Sequence, residues 1–197
     1  MRPVPRFAAA AVLAGASLLL ATAPAVAHPG HDGVTLVSGA LHPLSGADHL
    51  LAMTTVGLLA AKRGGRAAIL WPGAFLGMML AGYGLGLAHP IAFPVQPGIL
   101  ASVIVLGVLT ASSFEAPLAA GLAVISVCGL CHGYAHGVET PAGAGLGFPI
   151  GFAVSTAALL AIGLACGMGA LRLRQPIVLR LLGGGVALGG LALTLAG

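Results

Sequence analysis

A chain of 197 residues with 58% hydrophobic side chains, 6% charged ones and a mean hydropathy of +1.08 cannot present a surface to water. Soluble domains carry about 25% charged residues, so the composition excludes a water-soluble globule and fits one membrane domain. Eight Lys+Arg against four Asp+Glu leave +4 at pH 7, but the basic residues are scattered in short loops without interleaved aromatics, which excludes nucleic acid as a partner.

Residues 1–27 read as a cleaved signal peptide. Arg2 and Arg6 form a basic start, Phe7 to Leu20 an apolar middle, and Ala25-Val26-Ala27 a small-residue cleavage site. Cleavage there leaves residues 28–33 as an amino-terminal segment outside the membrane. Its His28, His31 and Asp32 form a candidate metal-capture group, because a terminal amine and its own imidazole chelate together. A solvated tail is the alternative reading of the same residues.

Residues 34–197 divide at polar and Pro-rich breaks into apolar stretches near 34–61, 67–89, 97–114, 118–139, 148–171 and 177–196. Each is close to the roughly 20 residues that cross hydrocarbon as a helix, the third being the shortest. Continuous apolar runs are not the alternation of a barrel, so the expected fold is all-α: a polytopic six-helix bundle. Lys62, Arg63 and Arg66 follow the first stretch, and Arg172, Arg174 and Arg180 flank the break between the last two, whereas 90–96 and 140–147 hold no Lys or Arg. Positive loops stay cytoplasmic, which sets both mature termini outside a bacterial inner membrane, as the signal peptide also requires. Thirty-two glycines favour close helix packing. Cys128, Cys131 and Cys166, an odd number inside apolar runs, read as packing residues rather than a disulfide framework.

Two stretches combine acid and histidine. The first holds His42, Pro43, Gly46, Asp48 and His49, with the two histidines two helical turns apart and therefore on one side of a continuous helix. Pro43 and Gly46 are placed to loosen that helix and free carbonyls as ligands. The fourth stretch holds His132, His136 and Glu139 at i, i+4 and i+7, one stripe, with Gly133 and Gly137 alongside. At about 1.5 Å per residue, His42 lies about 12 Å deep and Asp48 and His49 about 21 Å, while His132 lies about 10 Å below Glu139. The two sets overlap in depth and trace a descending path from Glu139, His136 and His42 to His132, His49 and Asp48. Charge at mid-bilayer costs roughly 2.5–3.5 kcal/mol on insertion scales, so such groups face a cavity and bind something. Four imidazoles and two carboxylates suit a divalent first-row metal. Plain Asp/Glu–His pairs tying helices together are the structural alternative. Met53 reads as core, His89 as interfacial and Glu115 as a solvated turn residue.

The paired motifs His42-Pro43-x-x-Gly46-x-Asp48-His49-Leu-Leu-Ala-Met and His132-Gly133-x-Ala135-His136-Gly137-x-Glu139 resemble those of the HupE/UreJ family of nickel and cobalt permeases. The resemblance runs over essentially the whole mature chain; Cys131 stands where that family commonly has phenylalanine. It implies that His42, Asp48, His49, His132, His136 and Glu139 recognise a transition metal. The resulting expectation is a permease, not an enzyme, that takes Ni2+ or Co2+ from periplasm to cytoplasm, with the ion as cargo and no resident cofactor. The chain contains no phosphate-loop motif. Lipid is its other partner, and a homo-oligomer is compatible with the sequence. Spans one and four run in opposite directions with matching acid–histidine sets, which suggests two inverted three-helix halves. Rival readings are an intramembrane metal-dependent hydrolase, although H-E-x-x-H is absent, and a haem-binding electron carrier.

Overall fold

The computed structural model describes residues 35–91, 95–141 and 145–196. The signal peptide, His28, His31 and Asp32 lie outside the described residues. Seven helices follow in order: α1 Leu36–Ser45, α2 Ala47–Arg63, α3 Ala67–Ala88, α4 Gln96–Ala111, α5 Leu118–Glu139, α6 Gly147–Arg172 and α7 Pro176–Ala196.

The first apolar stretch is a broken helix rather than a continuous one. Thr35 starts α1 with a capping box: its hydroxyl accepts from the Ser38 N–H at 3.1 Å and its own N–H donates to the Ser38 hydroxyl at 2.9 Å. Pro43 lies inside α1, and the chain turns only at Gly46, whose extended backbone separates α1 from α2 by a bend of 82°. Near the corner the His42 carbonyl accepts from the Ser45 hydroxyl at 2.8 Å and the Gly46 N–H at 3.3 Å. That carbonyl, among those expected to be freed as ligands, is thus taken up locally.

Four helices, α3, α5, α6 and α7, are individually long and apolar enough to cross a membrane, and the bent α1–α2 pair makes a fifth if it counts as one span. The stretch expected as a third span gives α4, which ends at Ala111 after 16 residues, about 24 Å against a core of about 30 Å. Large apolar side chains such as Ile69, Val127, Val154 and Leu188 face outward, giving the bundle the belt that lipid requires.

Inside that belt α2 is the central helix. It packs on α1, α3, α4, α6 and α7, and from Leu51 to Ala61 every residue except half-buried Thr54 is buried. The most extensive interfaces are α3 on α5, α4 on α7, and both α1 and α2 on α6. In terms of the apolar stretches, the first packs on the fifth, the second on the fourth and the third on the sixth, a set unchanged when the halves are exchanged. Any two repeated halves related by a two-fold would give this pairing, whichever way they run; the break at Gly46 has no counterpart in α5.

The α3–α5 contact holds α5, and with it His132 and His136, against the core. Gly129, Gly133 and Gly137 recur every four residues on α5, and a Cβ at any of them would enter the main chain of Phe75, Met79 or Tyr83 on α3. Glycine is needed here for close approach, which also maximises dispersion contact between helices that gain nothing from excluding lipid.

Candidate metal centre

The two acid–histidine sets meet at the amino end of α2. His42, His49 and His136 each offer one ring nitrogen, and those atoms all lie within 4.8 Å of one another. The rings of His42 and His49 have centroids 5.3 Å apart, and those of His42 and His136 4.4 Å apart. The expected two tiers therefore become one cluster. His42 and His49 do not stack along a helix; the corner at Gly46 folds α1 back so that His42 comes beside His49. A Cβ on Gly46 would stand 2.8 Å from Asp48 Oδ1 and 3.0 Å from His49 Nδ1. Its backbone conformation would admit any residue, so the crowding is what calls for glycine.

The Nδ1 side of three rings is occupied. His49 Nδ1 donates to Asp48 Oδ1 at 2.6 Å, and the same oxygen accepts the His49 backbone N–H at 2.8 Å. His132 Nδ1 donates to the Cys128 carbonyl at 2.8 Å. His136 Nδ1 lies 3.5 Å from Glu139 Oε2. A neutral imidazole that donates from Nδ1 presents a lone pair on Nε2, and an acceptor behind the ring is the arrangement that orients metal-binding histidines.

His49 Nε2 and His136 Nε2 face each other at 2.5 Å. Two ligands of a tetrahedral ion at about 2.0–2.1 Å would stand about 3.3 Å apart, so the rings need open by less than an ångström to admit one. His132 is completely buried beside His49, ring centroids 5.3 Å apart, and its Nε2 has no hydrogen-bond partner among the described residues. It stands behind the triad rather than in it.

One side of this cluster is reachable. Glu139 is exposed, His42 and Asp48 are half-buried, and His49 and His136 are each 5% exposed. On the other side the core of Met53, Val56, Phe75 and Ile125 closes beneath the rings. Met53 is fully buried there, as core packing requires, and Glu115 is exposed between α4 and α5. His89 caps the exposed end of α3, where the Tyr134 hydroxyl donates to its carbonyl at 2.9 Å.

Two contributors escaped the sequence reading. Gln96, the first residue of α4, donates from Nε2 to Asp48 Oδ2 at 3.4 Å, and a lone amide opening an apolar run was its only signal. Phe152 of α6 packs its ring against His136, His42 and His49 with centroids 4.8, 5.9 and 6.2 Å away. Nothing distinguishes it in sequence from any core phenylalanine.

Cys128, Cys131 and His132 also have the C-x-x-C-H spacing of covalent haem attachment. Here Cys128 belongs to the buried core and the His132 ring is enclosed by Phe75 and His49, which leaves that imidazole no open face for a haem. Cys131 is turned toward α4: a Cβ on Gly98 would lie 3.9 Å from its sulfur.

Comparison with known proteins agrees with this geometry. Residues 16–193 match the family described as HupE / UreJ protein. Protein HupE of Rhizobium leguminosarum bv. viciae is 37% identical over 171 residues, covering 85% of this chain and 88% of that protein. No solved structure matches the chain. With a histidine cluster enclosed in an apolar helical bundle and a family match over nearly its whole length, the chain belongs to the HupE/UreJ family.

Proposed function

We propose that this protein is an inner-membrane permease that carries Ni2+ or Co2+ from the periplasm to the cytoplasm. The observation that carries the reading is the convergence of His42, His49 and His136 within 4.8 Å, backed by Asp48 and Glu139, in the interior of an apolar bundle. Imidazole nitrogen binds both ions well, and two carboxylates offset the two positive charges that hydrocarbon would otherwise reject.

In this reading the bent α1–α2 pair and the short α4 complete six spans around the cluster. The end bearing Lys62, Arg63, Arg66, Arg172, Arg174 and Arg180 faces the cytoplasm, and Glu139 faces the periplasm. His28, His31 and Asp32 capture the ion outside. Exposed Glu139 receives it, the triad strips its water and holds it, and His132 is the next nitrogen inward. The ion is cargo, so its binding must be reversible, and none of the residues is assigned a catalytic step.

Uptake of radiolabelled nickel and cobalt into cells tests the reading, comparing wild type with His49→Ala and His136→Ala at matched membrane abundance. Each substitution is expected to reduce uptake by at least about 100-fold, beyond the 10–100-fold typical of residues that only orient a ligand. Normal uptake in both variants would overturn the path.

A further inference from the structure

About 20 Å of packed protein separates His49 from the opposite end of α2, thirteen residues at about 1.5 Å each. Over that distance α2 carries one polar stripe. Asp48, Thr55 and Lys62 are spaced seven apart, and such positions repeat to within about 20° around a helix. Both ends of the stripe meet α4: Asp48 through Gln96 at its first residue, and Lys62 through its last turn and the residues that follow.

Thr55, midway, is fully buried, and its hydroxyl has no partner among the described residues. A buried hydroxyl left unpaired costs about 1–3 kcal/mol, and a threonine in a helix ordinarily avoids this by bonding back to its own backbone. Neighbouring Thr54 does so, donating to the Leu50 carbonyl at 2.6 Å; Thr55 does not.

At the far end the Lys62 ammonium is ringed by four carbonyl oxygens: Ser112 at 2.6 Å, Leu109 at 2.7 Å, Thr110 at 3.3 Å and Phe114 at 3.3 Å. Oxygens converging on one point form a cation site, and the ammonium is the cation that fills it. Beyond it opens a cavity of about 190 Å³ lined by Lys62, Ser113, Glu115 and Arg180 among others. Lysines do cap the last carbonyls of helices. Capping does not account for an unpaired hydroxyl on the same stripe, or for the stripe beginning at the carboxylate that orients His49.

We propose that the seam between α2 and α4 is the inner half of the ion's path and that Lys62 is its closed gate, a tethered cation occupying the last oxygen site until it swings into the cavity. The proposal rests on the permease reading. A dication in the seam repels the ammonium, so ion and Lys62 do not share the site.

The gate is tested in vesicles with Lys62→Met, which keeps side-chain length and removes the charge, and with Lys62→Gln should the first variant not fold. Ni2+ flux per folded protein is expected to rise at least about threefold, because an electrostatic barrier has been removed, while Ni2+ affinity of the purified protein stays within about twofold of wild type. A second arm needs no transport: Thr55→Cys is introduced into a chain carrying Cys128→Ala, Cys131→Ala and Cys166→Ala. A membrane-impermeant thiol reagent applied from the Lys62 side is expected to modify it at least about tenfold faster when Lys62→Met is also present. Flux that stays level or falls, or equal protection of Thr55→Cys with and without Lys62, would reduce Lys62 to a helix cap and overturn the gate. Wild-type vesicles impermeable to Ni2+ would overturn the permease reading instead, and the labelling arm would then decide the gate alone.

Discussion

The broken pair α1–α2 and the unbroken α5 solve the same problem in opposite ways. Each must turn two imidazoles and a carboxylate toward a common point in an apolar interior. In α5 the helical period does it: His132, His136 and Glu139 fall on one stripe, and glycines at 129, 133 and 137 let α3 approach along the adjoining face. In α1–α2 the period is abandoned, and an 82° corner brings His42 beside His49. The corner yields something a continuous helix cannot: a helix amino end inside the bundle, with Asp48 in its first turn where the helix dipole favours negative charge. A periodic arm positions rings; a broken arm positions rings and a half-buried charge together.

The largest effect is therefore expected from straightening or crowding the corner. Gly46→Ala places a methyl 2.8 Å from Asp48 Oδ1 and 3.0 Å from His49 Nδ1, too close to both, so the paired side chains must shift. Nickel affinity of the purified protein, read by calorimetry, should fall by about 100-fold, the upper range for loss of ligand orientation. An unaltered affinity would mean that the corner is only a packing feature.

Asp48→Asn separates charge from shape. The amide retains the size and one oxygen that can accept from both the ring and the backbone N–H of His49, but it loses the negative charge and the second oxygen, which accepts from Gln96 Nε2. A reduction of about 10-fold in nickel affinity is expected, with thermal stability little changed, because the acceptor behind the His49 ring is weakened rather than removed. If Asp48→Asn and His136→Ala prove equally damaging, the distinction between the two arms collapses.

Of this arrangement, the sequence made the continuous arm legible and the broken arm only half so. Hydropathy alone marks α3, α5, α6 and α7, because a long apolar run has no other way to satisfy its backbone in lipid. The i, i+4, i+7 stripe of α5 follows directly from helix geometry. In the first stretch the apolar run passes straight through the corner, and Pro43 draws attention to a position three residues before the actual break. The choice of Gly46 depends on crowding by Asp48 and His49, a tertiary fact. The early end of α4 at Ala111 is equally tertiary, since Lys62, forty-seven residues before Leu109, reaches its last carbonyls. Phe152 and Gln96 reach the cluster only through packing of α6 and α4, which no local pattern encodes.

Acidity should act on both arms together. Metal and protons compete for the same imidazole nitrogens, so lowering pH shifts histidine toward its protonated form, which cannot bind a cation, and raising pH restores the lone pair. Nickel uptake and affinity are expected to decline by about 10-fold or more as the pH falls from 7 to 4, because each proton an imidazole takes up is a ligand lost to the ion. An affinity independent of pH over that interval would show that carboxylate or carbonyl oxygen, not imidazole, holds the ion.

The smallest effect belongs to the outermost group. Glu139 ends α5, its side chain is 67% exposed, and it lies 3.5 Å from His136 Nδ1, longer than the 2.6 Å between Asp48 and His49. Exposed charge is screened by water and salt, so Glu139 attracts an approaching dication more than it orients the ring behind it. Glu139→Gln should lower the rate of nickel uptake at limiting nickel by only about threefold, and the deficit should shrink as ionic strength rises, because steering is the term that salt removes. The equilibrium affinity of the purified protein should change less than the rate. A deficit as large as that of Asp48→Asn, insensitive to salt, would assign Glu139 to the ion itself and make the two arms equivalent after all.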